Sequence, residues 1–196
     1  MRIDLDILQQ WIQPRAQVLD LGCGGGRLLA ALATTKQVLG YGIEIDHDKI
    51  TQCIQKRVNV IEQNLDEGLQ NFGDASFDTV VMSQTLQAVR YPDRVLNEML
   101  RVGRECIVSF PNFGHWRCRF DLTLRGHMPV SKFLPYTWYN TPNIHFCTIH
   151  DFEDFCREQG IRILSRRYVT AGRDDDPLAM RWPNMLAEMA IYRLTR

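Results

Sequence analysis

The sequence predicts an α/β chain built on a doubly wound, mostly parallel sheet. Three observations carry this expectation. Val18-Leu19-Asp20-Leu21 reads as a short buried strand, Gly22 to Gly26 as a turn almost without side chains, and Leu28, Leu29 and Leu32 recur at helical spacing. Short apolar runs then alternate with segments of helical period along the chain. Glu44 closes the second of these runs, 22 positions after Gly22, where a carboxylate grips a ribose diol in sheets of this kind. A strand, a glycine turn and a helix in that order aim backbone N–H groups at an incoming ligand.

The elements follow in order. Leu5 to Trp11 is an amphipathic helix with Leu5, Leu8, Trp11 and Ile12 on one face; Pro14 ends it, and it is expected to lie over the ligand site as a lid. Gly26 to Ala33 is the first crossover helix and Val38 to Ile45 the second strand. Asp46 is a helix N-cap for Asp48 to Arg57, and Val58 to Glu62 is the third strand. Phe77 to Ser83 is β-branched and reads as a buried fourth strand. Tyr91 to Val102 is a helix with Pro92 in its first turn, and Glu105 to Phe110 the fifth strand.

An insertion then interrupts the alternation over 111–147. It holds a basic helix (Arg117, Arg119, Arg125) and an aromatic, proline-rich loop from Phe133 to Phe146, expected to shape the substrate side of the pocket. Thr148-Ile149-His150-Asp151 is a capping box for the helix Ile149 to Gln159, closed by Gly160. Ile161 to Val169 is the sixth strand, and Gly172 to Pro183 a loop whose Asp174-Asp175-Asp176 run reads as a solvated turn ahead of a metal site. Glu188 to Leu194 is the last strand. With no helix between them, the last two strands suggest an antiparallel hairpin.

At 196 residues the chain is expected to form one domain, 1–196. Its 23 basic and 23 acidic side chains cancel, so no global field draws it to nucleic acid or anionic lipid. No apolar run approaches the ~18 residues of a membrane span. Met1-Arg2-Ile3-Asp4-Leu5-Asp6 carries two early acids and no signal core, so a cytoplasmic protein is expected. The six cysteines show no C-x-x-C spacing and read as reduced thiols, with no metal site.

The turn reads D-x-G-x-G-x-G on Asp20, Gly22, Gly24 and Gly26. Arg27 stands where a dinucleotide turn needs its third glycine. An acid two positions before the first glycine suits a ligand with a positive end, so with Glu44 the ligand reads as a nucleoside carrying an amino-acid cation. On these residues the chain resembles the class I S-adenosylmethionine-dependent methyltransferase superfamily. The resemblance implies a Rossmann-like, seven-stranded sheet with the last strand antiparallel. It places Asp20, Gly22, Gly24 and Gly26 at the methionine part of the cofactor and Glu44 at the ribose. After the third strand Asn64 stands where the adenine amino group is received, with Asp66 the alternative and a turn or cap role open for both. The implied contacts to S-adenosylmethionine or S-adenosylhomocysteine are Asp20, Gly22, Cys23, Gly24, Gly26, Glu44, Ile45, Asn64, Leu65 and Ser83. Ser83, Gln84 and Gln87 face the boundary between cofactor and substrate. Ser83-Gln84-Thr85-Leu86 lacks the N/D-P-P-Y/F of amino-methylating enzymes of nucleic acids.

The resemblance narrows further. Tyr41-Gly42-Ile43-Glu44-Ile45-Asp46, Ser83-Gln84-Thr85-Leu86-Gln87, Ser109-Phe110-Pro111-Asn112-Phe113-Gly114-His115-Trp116-Arg117 and the Pro135 to Phe146 loop together resemble the methionine biosynthesis MetW family. That resemblance implies a partner, the homoserine O-acyltransferase MetX, which makes O-acetyl- or O-succinylhomoserine. Two function classes follow. One is a non-enzymatic partner of the acyltransferase whose pocket senses S-adenosylmethionine. The other is a methyltransferase of a small molecule. A nucleic-acid methyltransferase rests only on the Arg117, Arg119, Arg125 cluster. Among His115, His127 and His145 no spacing selects a base; His115 is the nominal catalytic candidate. The insertion from Phe113 to Phe146 is the expected partner surface.

Overall fold

A computed structural model of the chain describes residues 3–171, 173–174 and 176–196. Met1, Arg2, Gly172 and Asp175, on which parts of the signal and loop readings fall, lie outside the described residues. The elements in order are α1 (Ile3–Trp11), β1 (Gln17–Leu21), α2 (Arg27–Lys36), β2 (Leu39–Glu44), α3 (His47–Gln55), β3 (Asn59–Glu62) and β4 (Phe77–Ser83). Then come α4 (Pro92–Val102), β5 (Gly103–Pro111), α5 (Trp116–Phe120), α6 (Ile149–Glu158), β6 (Arg162–Thr170), β7 (Arg173–Asp174), α7 (Pro177–Arg181), α8 (Pro183–Leu186) and β8 (Met189–Thr195). Among the described residues no helix is long and apolar enough to cross a membrane.

One mixed sheet runs in the order β3-β2-β1-β4-β5-β8-β6-β7. The first five strands are parallel, and β8 runs antiparallel between β5 and β6. The reversal of strand order at β1 and β4 opens a crevice at their carboxyl ends, where the glycine turn lies. The eighth strand, absent from the expected seven, is the two-residue β7, which pairs antiparallel with the end of β6.

Alternation along the central strands builds two cores, because successive side chains point to opposite faces. Leu19, Leu21, Val80, Met82, Cys106, Val108 and Phe110 pack beneath α4 and α6. Val18, Val81 and Ile107 pack on the other face against α1 and α2. The helix expected as a lid is part of this second layer: Ile7, Leu8 and Ile12 are fully buried, and Leu5 and Trp11 pack against the same core half-buried, so the inward face is the expected one with Ile7 added. Lys36 Nζ donates to the carbonyls of Gln9 and Ile12 and closes the C-terminal end of α1.

The stretch read as a loop before β8 contains α7 and α8. Asp176 caps α7 by accepting from Leu178 N and Ala179 N, and Pro177 and Pro183 open the two helices. An acidic run hid an Asp-Pro helix start. The basic helix of the insertion is α5 continued by a π-turn over Asp121–Arg125, and Gly126 at φ +63° ends it.

One buried side chain fastens the insertion to the sheet. Asn112, 1% exposed, donates through Nδ2 to the carbonyls of Asn184 and Ala187 at 3.1 and 2.8 Å. Its Oδ1 accepts from Gly114 N at 2.9 Å and Ile149 N at 3.3 Å. Asn184 Oδ1 also accepts from Ile149 N. The end of β5, the start of α6 and the α8 turn therefore share one network. Asn112→Ala leaves several buried backbone groups unpaired, so it is expected to cost about 3 kcal/mol in urea unfolding. A loss under about 1 kcal/mol would show that water replaces the network.

Candidate functional site

β1 delivers the chain into the crevice as Gly22-Cys23-Gly24-Gly25-Gly26. Gly22 N and Cys23 N both donate to Ile43 O of β2, at 2.9 and 3.0 Å, so the turn is a direct continuation of the sheet. Gly22, Gly24 and Gly26 have φ of +70°, +55° and +70°, a region that costs side chains with a Cβ. A Cβ at Gly22 would meet Thr85 at 2.6 Å, whereas one at Gly24 would meet nothing within 4 Å. The space left open at Gly24 belongs to the crevice.

Glu44, at the end of β2, is buried and holds this turn. Its Oε2 accepts from Gly24 N at 2.8 Å, and its Oε1 accepts from Ile45 N and Asp46 N at 2.9 and 3.2 Å. Asp46 caps α3 as expected, accepting from Asp48 N and Lys49 N, which holds its carboxyl below the usual range.

The crevice has two adjoining lobes that share Gly22, Gly24, Lys49 and Ser83. The first, about 360 Å³, is lined by Asp20, Cys23, Gly25, Arg27, Gln52 and Leu5 of α1, among others. The second, about 540 Å³, adds Glu44, Ile45, Gln63, Asn64, Leu65, Asp66, Gln84, Thr85 and Gln87. Phe133, Pro135, Tyr136, Pro142 and Asn143 of the insertion close it. Every expected contact residue except Gly26 therefore lines one lobe or both. Gly26 stands behind them as the N-cap of α2, and a Cβ there would strike Cys53 Sγ at 2.9 Å.

Asn64 carries the cap role left open for it, whereas Asp66 ties its turn to the chain just before α4. Asn64 Oδ1 accepts from Asp66 N at 3.0 Å, and Asp66 Oδ1 accepts from Arg90 N and Tyr91 N at 2.8 and 3.2 Å. Two cleft residues keep a buried acceptor with no partner, Gln63 Oε1 and Gln87 Oε1. Such oxygens are expensive to bury alone and match a ligand that brings N–H donors. Gln84 adopts φ +53°, uncommon without glycine, and its N–H donates to Ser109 O at 2.9 Å.

Sequence reasoning missed Asp4. It is 1% exposed on α1, and its Oδ2 accepts from Ser83 Oγ at 3.3 Å and Gln84 Nε2 at 3.2 Å. It ties α1 to the floor of the crevice. Its signal was an acid standing three and four positions before Ile7 and Leu8, on the inward stripe. Lys49 and Gln63 were missed too, because long side chains on separate elements leave no spacing to read, whereas Tyr136 lies in the loop expected to shape the pocket.

The cysteines are thiols, with Cys23 Sγ 3.8 Å from Cys53 Sγ beside the turn. Burial above all raises both above the ordinary thiol value, so neither is an activated nucleophile. Among the described residues no cluster of His, Cys, Asp or Glu could hold a metal ion.

His115 does not line the crevice. It lies in a separate groove with Trp116, Arg117, Leu178 and Glu188, and its Nδ1 caps α5 by accepting from Arg117 N at 3.3 Å. Burial lowers its pKa, Glu188 opposes that shift and Arg117 adds to it. The unfolded chain therefore takes the proton first as pH falls. The neutral ring's stabilisation is whole above about pH 6.5 and declines as pH drops toward the lowered folded value. His115→Asn keeps a capping acceptor and removes this titration. The urea midpoint of the variant should fall less than that of the parent between pH 7.5 and pH 5.5, as measured by circular dichroism; an equal fall removes His115 from the acid response.

A mostly parallel sheet with a glycine turn after its first strand, an acid at the end of the second and an antiparallel last strand between the fifth and sixth defines the class I S-adenosylmethionine-dependent methyltransferase fold. Solved structures agree. A Mesorhizobium loti protein described as an S-adenosylmethionine-dependent methyltransferase superposes with a TM-score of 0.72 at 14% identity, over 99% of this chain and 98% of that one. An Archaeoglobus fulgidus protein of the same description gives 0.70 at 13% identity, over 100% and 92%. At such identities the likeness is one of fold. The chain belongs to the family described as methionine biosynthesis protein MetW, whose family model matches residues 2–194. It is also 33% identical over 207 residues to a Rhodopirellula baltica protein named bifunctional methionine biosynthesis protein MetXA/MetW. That match takes in 100% of this chain and 33% of the relative, so the chain spans about a third of that relative's length.

Proposed function

We propose that the chain binds S-adenosylmethionine or S-adenosylhomocysteine in the two-lobed crevice and serves methionine synthesis as a partner of the homoserine O-acyltransferase MetX. The observation that carries the ligand half is the open glycine cradle, clasped by Glu44, in a crevice that also draws on two glutamines with an unpartnered amide oxygen. Asp20 lies in the first lobe with the glycines and suits the methionyl ammonium. Glu44 spends three lone-pair sites on backbone N–H groups, and a carboxylate offers about four, so a ribose hydroxyl can still donate to it. Asn64 already accepts from Asp66 N, which makes the neighbouring Gln63 Oε1 the acceptor in need of an adenine N–H. The bound sulfonium would supply an activated methyl group, and the protein's part would then be alignment.

The partner half is supported by family membership and by the relative whose name joins MetXA to MetW. If ligand and partner bind the same molecule, each must alter the other's affinity by one factor. Methyl transfer to a small molecule is the second reading, favoured by the insertion residues that close the second lobe. No histidine lines either lobe, so this reading calls for an acceptor that needs no imidazole base.

Two measurements test these halves. Calorimetry with S-adenosylmethionine should show binding to the parent chain. Gly24→Leu, which strains a left-handed position by about 1 kcal/mol and fills the cradle, should bind roughly tenfold more weakly or worse. Equal binding would move the ligand elsewhere. The second is a homoserine acyltransferase assay using the host's own enzyme, with and without this chain and then with S-adenosylmethionine added. A rate that rises only with the chain present supports the partner role. An unchanged rate together with label transfer from methyl-labelled cofactor into a metabolite extract supports the second reading instead.

A further inference from the structure

Among the described residues, the large apolar side chains that stay exposed are not scattered. Of 21 such side chains, 11 lie between residues 116 and 146 and 4 between 178 and 185. That concentration exceeds the isolated exposures ordinary on a folded surface and marks an interaction face. Two ridges stand out. Trp116, Phe120 and Leu124 follow at intervals of four along α5 and its π-turn. Leu178, Trp182 and Met185 follow at helical intervals along α7 and α8. Trp116 and Leu178 line the same groove of about 240 Å³ between the two ridges.

The ridges are held, not loose. The Asn112 network fixes α8 and the start of the insertion together, and Arg119 Nε donates to Gly114 O at 2.6 Å. Arg117 lies over the Trp116 ring at 5.3 Å and Arg181 over the Trp182 ring at 5.5 Å. Tryptophan with arginine is the composition of interface anchors. Neither ridge lines the crevice, which draws instead on 133–143 at the other end of the insertion.

We propose that these two ridges form the docking surface for the homoserine acyltransferase, an inference that rests on the partner reading above. The related MetXA/MetW protein carries a segment matching all of this chain within a polypeptide three times as long. In that protein this module is tethered to a large neighbour, which gives a fixed apolar face something to bury. Arg117 and Arg125 are already paired with Glu188 and Asp121 at 4.0 and 3.2 Å, so the ridges ask for a partner face that is apolar rather than charged.

The test mixes the full chain with the host's acyltransferase and follows the complex by light scattering after size exclusion. Leu124 and Leu178 are 73% and 61% exposed, so Leu124→Glu with Leu178→Glu disturbs no core; unchanged S-adenosylmethionine affinity checks this. The double variant should weaken the complex about a hundredfold, while Trp138→Ala, on a separate turn, leaves it intact. If the parent chain binds and the double variant binds equally, this surface is wrong while the partner reading stands. If Trp138→Ala alone breaks the complex, the interface lies on the Phe133 to Phe146 loop and the ridges are wrong. If the parent chain forms no complex, the partner reading itself fails. If the parent chain self-associates and the double variant does not, the face joins two copies of this chain and the proposal is overturned.

Discussion

The crevice depends on one clasp, the carboxylate of Glu44 on the N–H of Gly24. β1 and β2 are parallel neighbours, so their carboxyl ends emerge side by side. Left alone, a turn with three positive φ angles would sample many shapes, since glycine loses most entropy on ordering. Glu44 accepts from that turn and from the first residues after β2 with the same carboxylate. The two chain exits are thereby fixed to each other, and the opening between them keeps its shape. Because the clasp uses backbone donors, any side chain at Gly22 that pushed against Thr85 would also displace it.

A second constraint acts at the other end of β5. The insertion has little regular structure, yet both of its ends meet the Asn112 network. From that fixed base it reaches in two directions. Residues 133–143 close the second lobe of the crevice, and α5 projects away from it toward α7. A polar side chain at the centre of such a junction gives directional bonds that an apolar residue of the same size could not, which is why a buried amide is tolerated there.

What could be read from the sequence divides along physical lines. β4 was legible to the residue because Phe77 to Ser83 is apolar, β-branched and buried by the sheet on both faces. Helix ends drifted by one to three residues, as ends fray and caps vary. α7 and α8 were missed because two short helices carry almost no periodicity, and only their Asp-Pro start and second proline mark them. The residues that line the crevice were legible because the glycine turn and the acid after it are local patterns with a fixed spacing. Gly26 fitted the pattern but serves packing, since a left-handed cap and a ligand cradle ask for the same residue. Asp4 and Asn112 act through partners 79 and 72 positions away, and no local pattern announces such pairs.

The two ends of the insertion also bear on what the molecule can do with its ligand. A residue that closes the second lobe and a residue on the ridges belong to one segment anchored at one network, so they share a mechanical origin. Were a ligand to tighten 133–143 and a partner to press on α5, both would act on one segment anchored at one junction. Coupling of this kind needs no large movement, only that each event reduces the freedom left to the other. The one histidine that the sequence nominated serves as a helix cap in the groove between the ridges, so methyl transfer in the crevice would rest on alignment rather than on an imidazole base.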